Sequence, residues 1–220
     1  MSIDVLPHYA GPGPRAVPGS ALAAAVVLAA WFALVVVLGA SGAYVTTPGS
    51  IPVPIAIAVT APIALFLVGI RVSPALREFA LATDARLMLG IQAWRFAGLG
   101  FLALYAHGVL PGMFAWPAGL GDIAIGITAP WLLVALIREP RFAASRTFVA
   151  WNLLGVLDLV VAVGTGALGS ALATGIAGEV TTGPMARLPL VLIPAFFVPI
   201  FVMLHIVALM QARRLARNLV

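Results

Sequence analysis

Residues 21–42 read ALAAAVVLAAWFALVVVLGASG. No charge interrupts the run, and it reaches the ~20 apolar residues that carry a helix across a ~30 Å hydrocarbon core. Inside lipid, main-chain groups must bond within their own segment or within a closed barrel. A long apolar run without two-residue alternation fits the helix and not the barrel. Working outward along the chain, stretches of the same character occupy 51–70, 86–107, 117–137, 148–170 and 188–211. The sequence predicts an all-α integral membrane protein, a bundle of about six transmembrane helices. A cleaved signal peptide is the rival reading of the first run, because small residues follow it near Ala40–Ala43. That run is too long for a signal peptide, and only Arg15 precedes it as a basic lead-in.

Composition points the same way. Of 220 residues, 63% are hydrophobic and 9% charged, with a mean hydropathy of +1.14. A water-soluble domain carries about 25% charged residues, so much of this surface must face lipid. The chain contains no cysteine, which excludes disulfides, thiolate metal sites and cysteine nucleophiles. No nucleotide-binding loop or zinc spacing occurs, and no cofactor is implied. All 12 basic residues are arginines. They flank apolar runs, where they set topology and do not mark a nucleic-acid surface.

The arginines sort by side. Arg71, Arg77 and Arg86 flank the second connection, Arg138, Arg141 and Arg146 the fourth, and Arg213, Arg214 and Arg217 follow the last span, with Arg15 before the first. The alternate connections, 43–50, 108–116 and 171–187, hold only Arg187. The positive-inside rule then places both termini in the cytoplasm of a multi-pass cell-membrane protein. The expected organisation is a flexible cytoplasmic tail over 1–20, rich in Pro and Gly, a six-helix domain over 21–211, and a basic cytoplasmic tail over 212–220. The segment 171–187 reads as either an ordered flap or a loose linker. Membrane lipids are the expected surroundings, with a homo-oligomer or a membrane protein partner as further associations.

Ionisable groups within a span cost at least ~2.5–3.5 kcal/mol on insertion scales, so each requires an account. The candidates are Gln92 and Arg95 in span three, Asp122 in span four, Asn152 and Asp158 in span five, and His205 in span six. From the helical rise, Arg95 lies ~13 Å and Asp158 ~15 Å from the same end of the bundle. Equal depth predicts an Arg95–Asp158 pair, since either charge alone would be desolvated. Asp122, ~8 Å from the opposite surface, reads as a solvated helix cap after Pro117 or as the end of an external funnel. His205 matches Asn152 in depth and is expected to bond it. His107 and His205 fall in opposite leaflets and His8 in the tail, so a bis-histidine haem within one subunit is not expected. Pro194 and Pro199 should loosen span six and free carbonyls toward the interior.

Residues 119–129, GLGDIAIGITA, echo 155–165, GVLDLVVAVGT: each begins with Gly, places Asp three residues later, and has a Trp upstream (Trp116, Trp151). Adjacent spans run oppositely, so a true echo would be an inverted pair of Gly–Asp elements, as in many transporters. The same match also arises from ordinary small-residue packing. The tetrapeptide Gly119-Leu120-Gly121-Asp122 resembles the GxGD signature of intramembrane aspartyl proteases, the presenilin and prepilin peptidase group. That resemblance implies a proton-sharing dyad with Asp158. Here the second aspartate follows the motif where in the family it precedes it, and Pro194-Ala195-Phe196 is only a loose counterpart of the family's Pro-Ala-Leu element.

Two functional expectations follow. One is a small transporter or channel-like protein with a polar seam of Gln92, Arg95, Asp122, Asn152, Asp158 and His205, centred on the Arg95–Asp158 pair. The other is a structural or accessory membrane subunit whose polar residues only fix helix register. An enzyme of the GxGD type is a lesser third.

Overall fold

The computed structural model describes residues 18–217. Six of its helical stretches are long and apolar enough to cross a membrane, and no strand occurs among the described residues. The first is α1 (Pro18–Ala40), which takes in residues 18–20 of the expected tail; residues 1–17 lie outside the described residues. Helix α2 (Val53–Val72) starts where Pro52 and Pro54 suit a first turn. It ends at Ser73, whose hydroxyl accepts the Leu76 N–H at 3.2 Å and caps α3 (Pro74–Ala82). The Arg-rich second connection is thus a short helix. Its end is fastened to the last span, where Gln211 Nε2 donates to the carbonyls of Leu81 (3.1 Å) and Thr83 (2.7 Å).

The third span is not one α-helix. Asp84 caps α4 (Ala85–Gln92), a 3₁₀ segment follows over Ala93–Gly98, and α5 (Leu99–Ala106) completes the crossing. The tighter 3₁₀ winding brings its backbone against α6 (Gly112–Arg138). A β-carbon at Gly126 of α6 would overlap Arg95 and Phe96 main chain, so glycine is required for this approach. Helix α7 (Arg146–Ala171) is capped by Ser145, which accepts the Phe148 N–H at 3.1 Å. The last span begins with a π turn over Ile193–Phe197, bounded by Pro194 and Pro199, and continues as α8 (Val198–Arg217). Prolines lack the N–H that would pair four residues back, and the wider turn absorbs the lost register. Residues 212–217, assigned above to a tail, are helical.

Two apolar clusters flank the middle of the bundle. Toward the Arg-rich end, Met88, Leu89, Phe148, Trp151, Ala208 and Ala212 are buried together. Toward the Arg-poor end, Phe101, Leu110, Phe114, Ala118 and Met185 form the other. Helix α1 stands at the side, holding the start of the last span through Val35, Trp31 and Leu38 against Val191 and Ala195. Most of its other large side chains, Leu22, Val26 and Val37 among them, are exposed, as lipid-facing residues are.

The segment 171–187 is an ordered flap. Glu179 accepts from the N–H groups of Thr174 (2.8 Å) and Gly175 (2.9 Å) and from the Thr174 hydroxyl at 2.9 Å. The Thr174 N–H beside it, foremost, holds its carboxyl below the ordinary value. Gly175 and Gly178 turn the backbone with φ of 77° and 84°. Further on, Thr182 is buried and its hydroxyl donates to Gly166 O of α7 at 3.0 Å. The 43–50 connection is tied to the same helix end through Gly49 N–H to Ser170 O (3.2 Å) and Ser170 Oγ to Ser50 O (3.1 Å).

Candidate functional site

Between the two apolar clusters lies a polar one, and Arg95 is its centre. The residue sits in the 3₁₀ segment with only 2% of its surface exposed. A buried guanidinium needs acceptors in several directions, and three spans provide them. Its Nε donates to Asp122 Oδ1 of α6 at 2.7 Å, and its Nη2 to Asp158 Oδ2 of α7. Nη1 donates to the Gly155 carbonyl of α7 at 3.3 Å and lies 3.1 Å from His205 Nε2 of α8. The ring of Phe201 lies under the guanidinium carbon, 5.9 Å from it to the centroid.

The histidine extends the network. Asn152 Nδ2 donates to Phe148 O at 2.9 Å, which turns its Oδ1 toward His205 Nδ1 at 2.8 Å. An amide oxygen only accepts and arginine only donates. His205 therefore carries its proton on Nδ1 and receives the Arg95 N–H on Nε2. Beyond Asn152 the apolar cluster of Phe148, Trp151 and Met88 closes the route toward the Arg-rich end. Gln92, also buried, donates from Nε2 to Phe201 O at 3.4 Å, and its Oε1 has no partner.

Three side chains of the cluster, Asp158, His205 and Asp122, are each seated on a glycine of a neighbouring element. A β-carbon on Gly121 would overlap the Asp158 carboxylate, and one on Gly155 the His205 ring; Gly98 leaves room for Asp122. These small residues clear space for charged side chains that must meet at the bundle axis, and they mark where α6 and α7 face each other.

Asp122 is therefore no solvated cap. Helix α6 begins at Gly112, well before Pro117, which sits inside the helix. Ten residues of helix then place Asp122 ~15 Å down, level with Arg95. The depths that bring Arg95 to Asp158 hold for Asp122 as well, so both elements of the Gly–Asp echo converge on one arginine. Both carboxylates accept a guanidinium N–H, the arrangement of a buried ion cluster. His107 ends α5 on the exposed surface, apart from the cluster.

Asp122 also borders a cavity of about 550 Å³, which fits the second expectation for this residue, the end of a funnel, and not the first. The cavity reaches from the Arg-poor connections down to mid-span. Its upper rim includes Thr46, Thr47, Thr181 and Arg187; its walls are apolar, with Phe101, Phe114, Ala162 and Val163 among them. Below, Leu159 and Val198 pack with Val59 and close it. Its size and lining are those of a small-molecule site: mostly hydrophobic, with few polar groups. Among the described residues, no three His, Asp or Glu side chains gather where they could hold a metal ion.

Comparison with known protein families gives one match. The family model described as "Domain of unknown function (DUF8737)" covers residues 52–213, from the start of α2 to near the end of α8. The chain belongs to that family. The matched region contains the whole Arg95 cluster and leaves out α1, the helix at the side of the bundle. No curated protein and no solved structure matches the chain.

Proposed function

We propose that this protein is a small carrier of the cell membrane, held here in an outward-facing state, with its site at the Arg95–Asp122–Asp158 cluster. The observation that carries the reading is that one carboxylate, Asp122, is both a partner of the buried Arg95 and part of the cavity lining. With both termini cytoplasmic, the orientation that the arginine distribution favours, the cavity opens to the outside and the Phe148–Trp151 cluster is the inner gate. Two carboxylates against one guanidinium leave one formal negative charge when both are ionised. A proton or a cationic solute compensates it, which is how intramembrane carboxylates serve transport paths. The inverted Gly–Asp elements on α6 and α7 give such a carrier its two half-sites.

A second reading has its own support. The Arg95 cluster ties the third span to α6, α7 and α8, which is what a register-fixing pair in an accessory subunit would do. Cysteine labelling separates the two, and the chain needs no background substitutions because it contains none. Ala162→Cys in the cavity wall should react with a membrane-impermeant maleimide from outside. In a carrier, Ala208→Cys, buried in the inner cluster, should react from the cytoplasmic side, at a rate that changes when Asp122 is replaced by Asn. Complete protection of Ala208→Cys from both sides would remove the carrier reading and leave the accessory one.

A further inference from the structure

We infer that the cavity above Asp122 takes an organic cation with an apolar body. The inference rests on the reading of that cavity as the carrier's substrate site and adds the ligand's chemistry. Three features of the cavity carry it. The walls contributed by Phe101, Phe114, Val163 and Val198 offer no hydrogen-bonding side chain over their length, so the body of the ligand is hydrocarbon or aromatic. The charged residue at mid-span depth is an aspartate, and the guanidinium that neutralises it is shared with a second carboxylate. Arg95 itself is turned away from the cavity, its side chain fully covered, whereas 16% of the Asp122 side chain remains accessible. A ligand reaching the end of the cavity therefore meets the Asp122 side chain and not the guanidinium. With both carboxylates ionised, an anion would be repelled there, a neutral ligand would gain nothing from the excess charge, and a cation answers it in a low-dielectric setting where the attraction is strong.

The positive group at the rim does not reverse this preference. Arg187 is exposed to solvent and belongs to the opposite end of the cavity, so water and salt screen it more than the buried carboxylates. Thr46, Thr47 and Thr181 beside it can accept as well as donate hydrogen bonds, which accommodates a polar tail without specifying one. The ligand's cationic head thus lies at mid-span and its opposite end at the outer connections.

The test compares two probes of similar shape, trimethyl(4-phenylbutyl)ammonium, whose charge no pH removes, and the neutral 4-phenylbutanol. Binding is measured calorimetrically to the full chain in lipid nanodiscs, with empty nanodiscs subtracted for partitioning. The cation should bind about ten-fold tighter or more, a difference of about 1.4 kcal/mol. Asp122→Asn should abolish that preference. Ala162→Phe, which fills the cavity without touching the charges, should weaken the cation by a similar factor and keeps the test valid if Asp122→Asn does not fold. Equal affinity of the two probes for the unmodified protein would overturn the inference, as would cation binding indifferent to Ala162→Phe. Selective binding without flux of the cation into proteoliposomes sustains the inference while removing the carrier reading; flux without selectivity does the reverse.

Discussion

Arg95 Nε lies 2.7 Å from Asp122 Oδ1, across 27 positions of sequence and between two different spans. This contact, more than the Asp158 contact on the other side of the guanidinium, joins the interior network to the cavity. It also sets the first expectation. Arg95→Ala leaves two buried carboxylates without their cation, and breaking a buried ion cluster from one side costs about 3–5 kcal/mol. Arg95→Lys should restore little, because an ammonium cannot serve Asp122, Asp158 and the Gly155 carbonyl from one planar fork. Unfolding in mild detergent, followed by tryptophan fluorescence, checks both; a Lys variant as stable as the parent would refute the fork geometry.

The glycine seats give a contrast within one class of substitution. Gly→Ala in a helix interior ordinarily gains up to about 1 kcal/mol, and Gly90, Gly100 and Gly164 have open space where a β-carbon would go. Alanine at these positions should be neutral or stabilising. At Gly121 and Gly155 the same methyl would overlap Asp158 and His205, so alanine there should lower the melting temperature and displace the polar group. Overpacking of this kind costs about 1–3 kcal/mol. Equal effects at all these glycines would mean that the cluster is looser than its contacts indicate.

The flap has a pH dependence of definite sign. The Glu179 carboxyl is held below its ordinary value by the Thr174 N–H and hydroxyl and the Gly175 N–H. A depressed carboxylate stabilises fully above the ordinary value of 4.5 and loses that contribution as pH falls through the depressed one. Hydrogen exchange at Thr174 and Gly175 should accordingly be faster in Glu179→Gln than in the parent at neutral pH. The difference should shrink and vanish in strong acid. A constant ratio across the range would show that the charge of Glu179 does not hold the turn.

How much of this was legible in the sequence depends on what each feature requires. Crossing a membrane is a property of composition summed over ~20 residues, so all six spans could be read off, with ends up to about six positions out in the fourth and sixth. Arg95 and Asp158 could be matched because depth along a helix is counted from its end. The same counting misplaced Asp122, since Pro117 looked like the start of α6 while the helix begins at Gly112. Proline within the first turns is tolerated in membrane helices when neighbours satisfy the freed carbonyl, and nothing local announces those neighbours. The 3₁₀ stretch around Arg95 packs closely on α6 only because residue 126 is glycine, a condition set by another span. The cavity is further from the sequence still, being the space left among helices and two connections that only packing brings together. Gly98, Gly121 and Gly155 do not line it; they were a signal of the polar cluster instead, because glycine facing an ionisable residue marks a seam.

The roof of the cavity offers the last expectation. Thr182 is 5% exposed, and its hydroxyl donates to the Gly166 carbonyl at 3.0 Å, fastening the flap to α7 beside the cavity. Valine has nearly the same shape, so Thr182→Val removes that single bond while keeping the packing. The Gly166 carbonyl still has its own helix to satisfy it, and the cost should be about 1 kcal/mol, too little to unfold the bundle. Its effect should instead be local, in the frequency with which the flap lifts. A shift of that size multiplies the open population about five-fold. Maleimide labelling of Ala162→Cys should therefore accelerate by a similar factor when Thr182→Val is added, while labelling of an exposed control such as Ile176→Cys stays constant. If the flap is instead a fixed wall and the cavity is reached by another route, the two rates will not differ, and the Thr182–Gly166 bond will show itself only as a small loss in thermal stability.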